Sequence, residues 1–147
     1  MLRCILLGEA PWLCESYNLL FWLRTSRYTG ADTWLRYTVY PFARYMLYRL
    51  TRRMGVWIPP STRIGSGLRL WHCGGIFVNG HAVIGRNCNI SQGVTIGQAN
   101  RGHPVLGDNV YIGPGAKIVG AVRIGHNVAI GANCVVTRDV PDNAVVV

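Results

Sequence analysis

The sequence has almost no lysine and few acidic residues. Lysine occurs once, at Lys117, whereas fourteen arginines stand against six Asp and Glu residues, and the formal net charge is +9. Only 14% of the residues are charged and 50% are hydrophobic, a composition that argues against an intrinsically disordered chain. Because arginine binds phosphate and carboxylate groups through paired hydrogen bonds, nucleic acid, an anionic membrane surface and a phosphorylated ligand all remain compatible with the charge.

The sequence also lacks long hydrophobic runs and paired cysteines. No eighteen consecutive residues are apolar, so no membrane-spanning helix is expected, and the apolar run Cys4–Leu7 is too short for a signal peptide. The five cysteines are odd in number and form no Cys-x-x-Cys pair, which argues against a disulfide scaffold and a zinc knuckle. We therefore expect a cytoplasmic protein.

Aromatic residues and glycine divide the chain into two parts. Twelve of the fifteen aromatic residues lie in residues 1–60, whereas fifteen of the eighteen glycines follow them. The dipeptide Pro59-Pro60 stops any preceding helix. The sequence therefore predicts an N-terminal helical segment over residues 1–60 and a second domain over residues 61–147.

The N-terminal segment has the apolar spacing of short helices. Apolar residues recur three and four positions apart in Tyr17–Arg24 and Thr33–Leu50, and Pro41 is expected to begin or kink a helix in the second stretch. The segment is either a helical cap that packs on a partner or on the second domain, or an arginine- and aromatic-rich surface that makes a peripheral membrane contact.

In the second domain one aliphatic residue recurs at every sixth position. These residues are Ile64, Leu70 and Ile76, then Ile84, Ile90 and Ile96, then Leu106, Ile112, Ile118, Ile124, Ile130 and Val136. A two-residue offset follows Ile76 and a longer interruption follows Ile96. A helix would spread this spacing around its circumference, whereas an extended chain returns an even spacing to one face. The pattern predicts a solenoid of short strands whose coils stack on one another.

The remaining hexad positions support this prediction. One position is repeatedly asparagine, where a corner needs a residue that tolerates positive φ: Asn87, Asn109, Asn127 and Asn133. Cys88 and Cys134 occupy a small inward slot, so we expect them to fill space and not to react.

Chemistry is expected where the hexads are interrupted. His72 lies in the irregular segment Leu70–Ile76, and His103 lies in the loop Gln98–Val105. His126 occupies an ordinary outward position and is expected to be a solvated surface residue. His81 lies inside the first offset, and its role stays open.

Two groups of residues carry a resemblance to a known family. Hexads such as Val-Tyr-Ile-Gly-Pro-Gly-Ala-Lys over 110–117 resemble those of the hexapeptide-repeat acyltransferases. His72, in His-Cys-Gly-Gly-Ile, resembles the catalytic histidine of the serine acetyltransferase branch, and His103-Pro104 resembles the second histidine of its Arg-His-Pro loop. The resemblance covers residues 40–147.

The resemblance implies a fold, an activity and an assembly. The fold is mainly β, a left-handed parallel β-helix preceded by a short helical segment. The activity is acetyl transfer from acetyl-CoA to a hydroxyl group, and the assembly is a homotrimer with active sites between neighbouring subunits. We expect no nucleic-acid partner.

The resemblance also assigns site residues. His72 is the expected general base, since a free imidazole titrates at about pH 6.5, and His103 is expected to position the acceptor or stabilise the oxyanion. A purely structural role is the alternative for both histidines. The expected contacts of CoA are the backbone near Gly97, Pro114 and Ala132, with Lys117 on its phosphates and Arg101, Arg123 and Arg138 as weaker candidates.

Three positions depart from the serine acetyltransferase pattern. Trp57 and Trp71 stand where that branch has aspartates, and Gly102 stands where an arginine precedes the loop histidine. Those charges would hold a zwitterionic acceptor, whereas a tryptophan suits the C–H face of a sugar. Packing against a neighbouring subunit is the alternative role of Trp71.

The acceptor expected from these departures is therefore a sugar hydroxyl of a polysaccharide precursor, bound by Trp71, Trp57 and Arg101. Serine O-acetylation for cysteine biosynthesis is the alternative. Two further alternatives remain. One is a zinc carbonic-anhydrase-like protein that uses His72, His81 and His103, and the other is an inactive β-helix scaffold. The histidine spacing of that zinc site is absent, so no metal is expected.

Overall fold

The computed structural model describes residues 15–99 and 102–147. It divides the chain into two compact units, one ending at Met54 and one running from Gly55 to Val147. Gly55 has φ of 60°, the left-handed conformation with which glycine commonly ends a helix. The first strand then precedes Pro59-Pro60, so the units divide before the predicted boundary at residue 60.

The described part of the first unit, residues 15–54, contains two helices, α1 (Glu15–Ala31) and α2 (Leu35–Met54). Asp32 caps the N-terminus of α2. Its Oδ1 accepts hydrogen bonds from the backbone N–H groups of Trp34 and Leu35, each at 3.0 Å. Pro41 lies inside α2, so the helix does not begin there as one expectation had it.

The helices pack together through small and apolar residues. Leu19, Leu23, Ala43 and Leu47 are buried. A side chain at Gly30 would contact the ring of Tyr40 at 3.1 Å, so glycine permits this close approach. No helix in the described part of the chain is long and apolar enough to cross a membrane.

The described residues of the second unit, 55–99 and 102–147, form fourteen short strands. They are β1 (Val56–Trp57), β2 (Arg63–Ile64), β3 (Arg69–Trp71), β4 (Ile76–Val78), β5 (Val83–Ile84), β6 (Asn89–Ser91), β7 (Thr95–Gly97), β8 (Val105–Leu106), β9 (Tyr111–Ile112), β10 (Lys117–Val119), β11 (Arg123–Ile124), β12 (Ala129–Ile130), β13 (Val135–Val136) and β14 (Val145–Val146). Up to β13 every third strand pairs in parallel, and β14 pairs with β12. The pairing gives three sheets: sheet 1 (β1-β4-β7-β10-β13), sheet 2 (β2-β5-β8-β11) and sheet 3 (β3-β6-β9-β12-β14). This arrangement is a parallel solenoid with three faces, so the predicted fold class is confirmed.

Three edges join the sheets, and each carries different residues. The His72 edge connects sheet 3 to sheet 1 through residues 72–75, 92–94, 113–116 and 131–134. The His103 edge connects sheet 1 to sheet 2 through residues 58–62, 79–82, 98–99 with 102–104, and 120–122. The asparagine edge connects sheet 2 to sheet 3 through residues 65–68, 85–88, 107–110, 125–128 and 141–144.

The asparagine edge explains why one hexad position prefers asparagine. Asn87, Asn109, Asn127 and Asn143 all have φ between 55° and 59°. Their side-chain amides form a ladder, each Nδ2 donating to the Oδ1 of the next coil at 2.9–3.4 Å. Asparagine tolerates this conformation and also supplies the ladder, which alanine could not do.

The preference for glycine directly after many core aliphatic residues has a different physical reason. A side chain at Gly85 would lie 2.3 Å from the carbonyl oxygen of Gly107 in the next coil, and one at Gly107 would lie 2.8 Å from that of Gly125. Close stacking of the coils, and not a positive φ, therefore requires glycine at these corners.

Strand pairing corrects the predicted register of the first coils. Leu70 pairs with Ile90, and Val78 pairs with Ile96, so eight residues separate Leu70 from Val78 where six separate their partners. The true hexad residue of β4 is Val78, and Ile76 fills the neighbouring inward slot. The two-residue offset therefore precedes Ile76 and does not follow it.

Candidate active site

The two extra residues of the first offset lie at the His72 edge. Trp71 is in register with Ser91, and Phe77 is in register with Thr95, so the additional residues fall in the connection that contains His72 and Cys73. His72 is exposed and has φ of 53°, a left-handed conformation that is uncommon outside glycine and asparagine. The offset thus presents an imidazole at the surface in an otherwise regular wall.

The second interruption lies at the His103 edge. Eight residues separate Gly97 from Val105, whereas four separate their partners Val119 and Arg123 in the next coil. Ala99 and Gly102 pair in antiparallel fashion through backbone hydrogen bonds of 3.1 and 3.3 Å. His103 follows this pair and is exposed, and Pro104 is buried beneath it.

Gly102 holds this loop close to the next coil. A side chain at residue 102 would place its Cβ 2.1 Å from the Cβ of Ala121, so the loop can lie on Ala121 only if residue 102 is glycine. The arginine that precedes the loop histidine in serine acetyltransferases would not fit here without a shift of the loop.

In one chain His72 and His103 lie on different edges. Sheet 1 separates these edges, and its strand Ile76–Val78 alone spans about 10 Å. The ring that does lie near His103 belongs to His81, with ring centroids 6.0 Å apart and a tilt of 37°. His81 lies in an ordinary corner. The N–H of Ala82 donates to the Asn79 carbonyl, and the same bond forms in the preceding coil, where the N–H of Thr62 donates to the Pro59 carbonyl.

Aromatic residues flank the His72 edge on both sides. On sheet 3, Trp71 is half-buried, and its Nε1 donates to Oδ1 of Asn89 at 3.1 Å, which fixes the indole. On sheet 1, Trp57 is in register with Phe77, and these outward rings are 53% and 54% exposed. Phe77 was not predicted as a site residue, although its outward position beside Val78 could have suggested it.

Acidic residues are absent from this region. Residues 55–99 contain no Asp or Glu. The carboxylates of the solenoid lie further along the chain and bind backbone N–H groups: Asp108 that of Arg86, Asp139 that of Arg123, and Asp142 that of His126, all at 2.7 Å. No residue of the first two coils can therefore supply a carboxylate beside His72.

The Asp108 pair is a structural clasp between coils. Its Oδ2 accepts hydrogen bonds from Nε and Nη2 of Arg86 at 3.1 and 2.8 Å. The pKa of Asp108 is lowered, first by the hydrogen bond from the Arg86 backbone and then by that from its guanidinium, and the pKa of Arg86 is raised by the same side-chain hydrogen bond. His126 joins this clasp, since its Nδ1 accepts a bond from the Asp108 N–H at 2.9 Å.

The predicted CoA contacts separate onto two edges. Gly97 ends β7 at the His103 edge, whereas Pro114 and Ala132 lie on the His72 edge, two and three coils beyond His72. Lys117 donates from Nζ to the Gly93 carbonyl at 2.5 Å and to Oγ1 of Thr95 at 3.1 Å. Its ammonium group is thus bound to the neighbouring coil, which weakens its predicted role on a phosphate.

The other predicted residues have plainer environments. Arg123 and Arg138 are exposed, and Arg101 lies outside the described residues. Cys88 is buried, and burial raises the pKa of its thiol, as expected for a space-filling cysteine. Within residues 15–99 and 102–147, no three His, Cys, Asp or Glu side chains are grouped as metal ligands would be.

Comparisons with known proteins find a hexapeptide transferase family and serine acetyltransferases. Residues 103–138 match the family model of the bacterial transferase hexapeptide (six repeats). A serine acetyltransferase of Synechococcus elongatus is 42% identical over 119 residues, which cover 78% of this chain and 49% of that protein. One from Staphylococcus aureus is 42% identical over 97 residues, 63% of this chain and 46% of that protein. The chain thus spans about half the length of the curated relatives it matches.

Solved structures show the same similarity in three dimensions. The serine acetyltransferase of Neisseria gonorrhoeae in complex with serine has a TM-score of 0.77 and 36% identity, over 90% of this chain and 54% of that one. Isoform 3 from Entamoeba histolytica in complex with cysteine has a TM-score of 0.76 and 32% identity, over 90% of this chain and 47% of that one.

Proposed function

We propose that this chain, which belongs to the hexapeptide-repeat acyltransferases and resembles their serine acetyltransferase branch, is an acetyl-CoA-dependent O-acetyltransferase. The observation that carries the proposal is that both interruptions of the solenoid present an exposed histidine, at the two positions that resemble the functional histidines of that branch. The names of the related proteins support the same activity.

The proposed chemistry is a direct transfer. His72 accepts the proton of the acceptor hydroxyl as its oxygen attacks the thioester carbon of acetyl-CoA. The carbon–sulfur bond then breaks, and the thiolate of CoA takes the proton from the imidazolium. General-base assistance of this kind contributes on the order of 10²–10⁴ in rate. His103 donates a hydrogen bond to the oxyanion or orients the acceptor.

A complete site requires more than one chain in this proposal. Since His72 and His103 occupy different edges, the His72 edge of one subunit would face the His103 edge of its neighbour, and a closed ring of three subunits would form three such sites. CoA would lie between them, which suits the separation of Gly97 from Pro114 and Ala132. A cytoplasmic location, where acetyl-CoA is made and used, belongs to the same proposal.

Serine is the first acceptor proposed. The related proteins are named for serine, and one of the solved structures contains it. The comparisons therefore favour the serine alternative over the polysaccharide-precursor acceptor that the sequence departures suggested. For serine, the carboxylate that pairs with its ammonium group must come from outside residues 55–99.

A sugar hydroxyl remains the second candidate because of one feature of the site. Trp57, Phe77 and Trp71 surround the His72 edge, where a charged acceptor would need a counter-charge. Aromatic faces instead stack on the C–H groups of a pyranose. The exposed pair Trp57–Phe77 has no evident role in the core of the solenoid.

An assay of thioester consumption identifies the acceptor. It compares L-serine with a panel of free and nucleotide-linked sugars. If a sugar is the acceptor, Trp57→Ala should raise its KM about tenfold through lost stacking. Tyr111→Ala, which removes an exposed ring on sheet 3, is the matched control and should change nothing. Turnover with serine alone, unaffected by Trp57→Ala, would reject the sugar.

Two other activities are separated by simpler measurements. Stoichiometric zinc in the purified protein would favour the carbonic-anhydrase-like alternative, in which His72 of one chain would join His81 and His103 of another. Failure to bind acetyl-CoA at millimolar concentration would favour an inactive scaffold.

A further inference from the structure

The helical unit exposes an unusual number of aromatic side chains. Eight of them, each 45–80% exposed, form what is called here the aromatic face: Tyr17, Phe21, Tyr28, Trp34, Tyr37, Phe42, Tyr45 and Tyr48. So many exposed rings on one unit indicate a surface that contacts a partner. The acetyl-transfer site on the solenoid makes no use of these residues.

On α1 the exposed residues form one stripe. Tyr17, Phe21, Arg24 and Tyr28 are spaced by four, three and four positions, which places them on one side of a helix. The opposite side carries the buried residues Leu19, Leu23 and Ser26. The stripe is therefore a consistent feature of the helix and not a set of scattered exposed rings.

Ring contacts connect this stripe to α2. Phe21 meets Trp22 edge to face with centroids 5.2 Å apart, and Trp22 meets Phe42 in the same way at 5.4 Å. Further along α2, the guanidinium of Arg49 lies 5.9 Å from the Tyr45 ring and that of Arg52 lies 5.8 Å from the Tyr48 ring. Ring contacts therefore join Phe21 of this stripe to Phe42 on α2, and arginines lie near the Tyr45 and Tyr48 rings further along α2.

The charge of residues 15–54 is mainly positive. Residues 15–54 contain seven arginines, all exposed: Arg24, Arg27, Arg36, Arg44, Arg49, Arg52 and Arg53. They contain two acidic residues, Glu15 and Asp32, and the Asp32 carboxylate caps α2. The surface around the exposed rings is accordingly positive and complementary to an anionic partner.

The kind of side chain distinguishes a lipid surface from a protein groove. Tyrosine and tryptophan have apolar rings with polar tips, which suit the boundary between lipid headgroups and acyl chains, and arginine pairs with lipid phosphates. A helix that docks in a protein groove usually offers leucine, isoleucine or methionine, and Val39 is the one exposed large aliphatic residue of this unit within residues 15–54.

We propose that the aromatic face binds the surface of an anionic membrane. The helices would lie in the plane of the interface with their rings among the headgroups and their arginines on the phosphates. The proposal is independent of the acetyl-transfer chemistry, so either can fail without the other. It would place the solenoid next to the membrane surface, where a lipid-linked or membrane-delivered acceptor could reach it.

The test is co-sedimentation of the full chain with vesicles of phosphatidylcholine alone and with phosphatidylglycerol added. Wild type should sediment with the anionic vesicles and stay in solution with the neutral ones. Tyr45→Ser with Tyr48→Ser should reduce binding at least about tenfold, since interfacial aromatic rings are removed. Arg49→Gln with Arg52→Gln should reduce binding about fivefold per arginine and weaken its salt dependence.

Matched controls exclude a loss of folding. Tyr111→Ser removes an exposed ring from the solenoid and should bind vesicles like wild type. Helix content by circular dichroism should be unchanged in the Tyr45/Tyr48 and Arg49/Arg52 variants, because these side chains are exposed.

Three results would overturn the proposal. Wild type could remain in solution with both kinds of vesicle, or the variants could bind as tightly as wild type. Light scattering could also show that wild type forms a larger oligomer which Tyr45→Ser with Tyr48→Ser dissociates, in the absence of vesicle binding. In that case the aromatic face is an interface between copies of the chain.

Discussion

At the scale of single residues, the conformation of His72 is the most informative feature. Among the described residues, five other non-glycine residues have positive φ, and all five are asparagines at corners. This conformation costs a non-glycine residue about 1–2 kcal/mol, and histidine is, with asparagine, one of the residues that adopt it more often than most. The cost is consistent with a side chain retained for its chemistry.

Asparagine can replace His72 without disturbing the corner. His72→Asn keeps a residue that tolerates positive φ but removes the base, so kcat should fall at least about 100-fold with little change in thermal stability. His72→Ala should lose as much activity. Turnover and thermal unfolding are measured together, with His126→Asn on the asparagine edge as the control that retains activity. Full turnover by His72→Asn would remove this residue from the mechanism.

The Asp108–Arg86 clasp predicts a dependence of stability on pH. A carboxyl whose pKa is lowered in the folded state stabilises that state above its ordinary value of 3.8, and the contribution is lost as pH falls through the lower native value. Asp108→Asn should thus melt below wild type at neutral pH, and the two melting curves should converge as the pH falls below about 4. A difference in melting temperature that stays constant with pH would show that the charge is irrelevant.

At the scale of elements, two short insertions create the candidate site. Two extra residues precede β4 and four precede β8. Each of these connections contains an exposed histidine, His72 in the first and His103 in the second. The coils on either side keep their pairing, so the core is undisturbed by the insertions. The small loop before His103 depends on glycine where it rests on the next coil.

This dependence can be tested at Gly102. Gly102→Ala places a methyl group 2.1 Å from the Ala121 Cβ, so the loop must move and His103 with it. Activity should fall about 10- to 100-fold, while the melting temperature changes little because the substitution lies outside the aliphatic core. Ala121→Gly in the same chain removes the nearest atom and should restore part of the activity. If Gly102→Ala is fully active, the position of His103 is unimportant.

At the scale of the whole molecule, the distribution of site residues over two edges is the main result. One chain presents His72, Pro114 and Ala132 on one edge and His103 with Gly97 on another. A ring of subunits would bring unlike edges together, whereas a monomer would leave each group alone.

Mixing two inactive variants tests this arrangement. His72→Ala and His103→Ala should each be inactive alone, but co-expressed chains should form mixed sites in which one subunit supplies His72 and its neighbour supplies His103. Random mixing of subunits would make roughly a quarter of the sites intact. Recovery of activity, with the trimer verified by light scattering, would confirm a shared site. A mixture as inactive as its parents would place both histidines in one chain or exclude one of them.

The sequence by itself determined the solenoid, because six-residue spacing can bury aliphatic side chains only if each coil covers the next. It also indicated His72 and His103, since both stand where that spacing fails. Tertiary structure decided the rest. Strand pairing showed that Val78, and not Ile76, is the hexad residue of β4, which places the first offset at His72. Coil stacking brings the Lys117 ammonium group onto the Gly93 carbonyl of the neighbouring coil. It also placed the two histidines on different edges, because an edge is defined by which strands meet in space, and spacing along the chain does not record that.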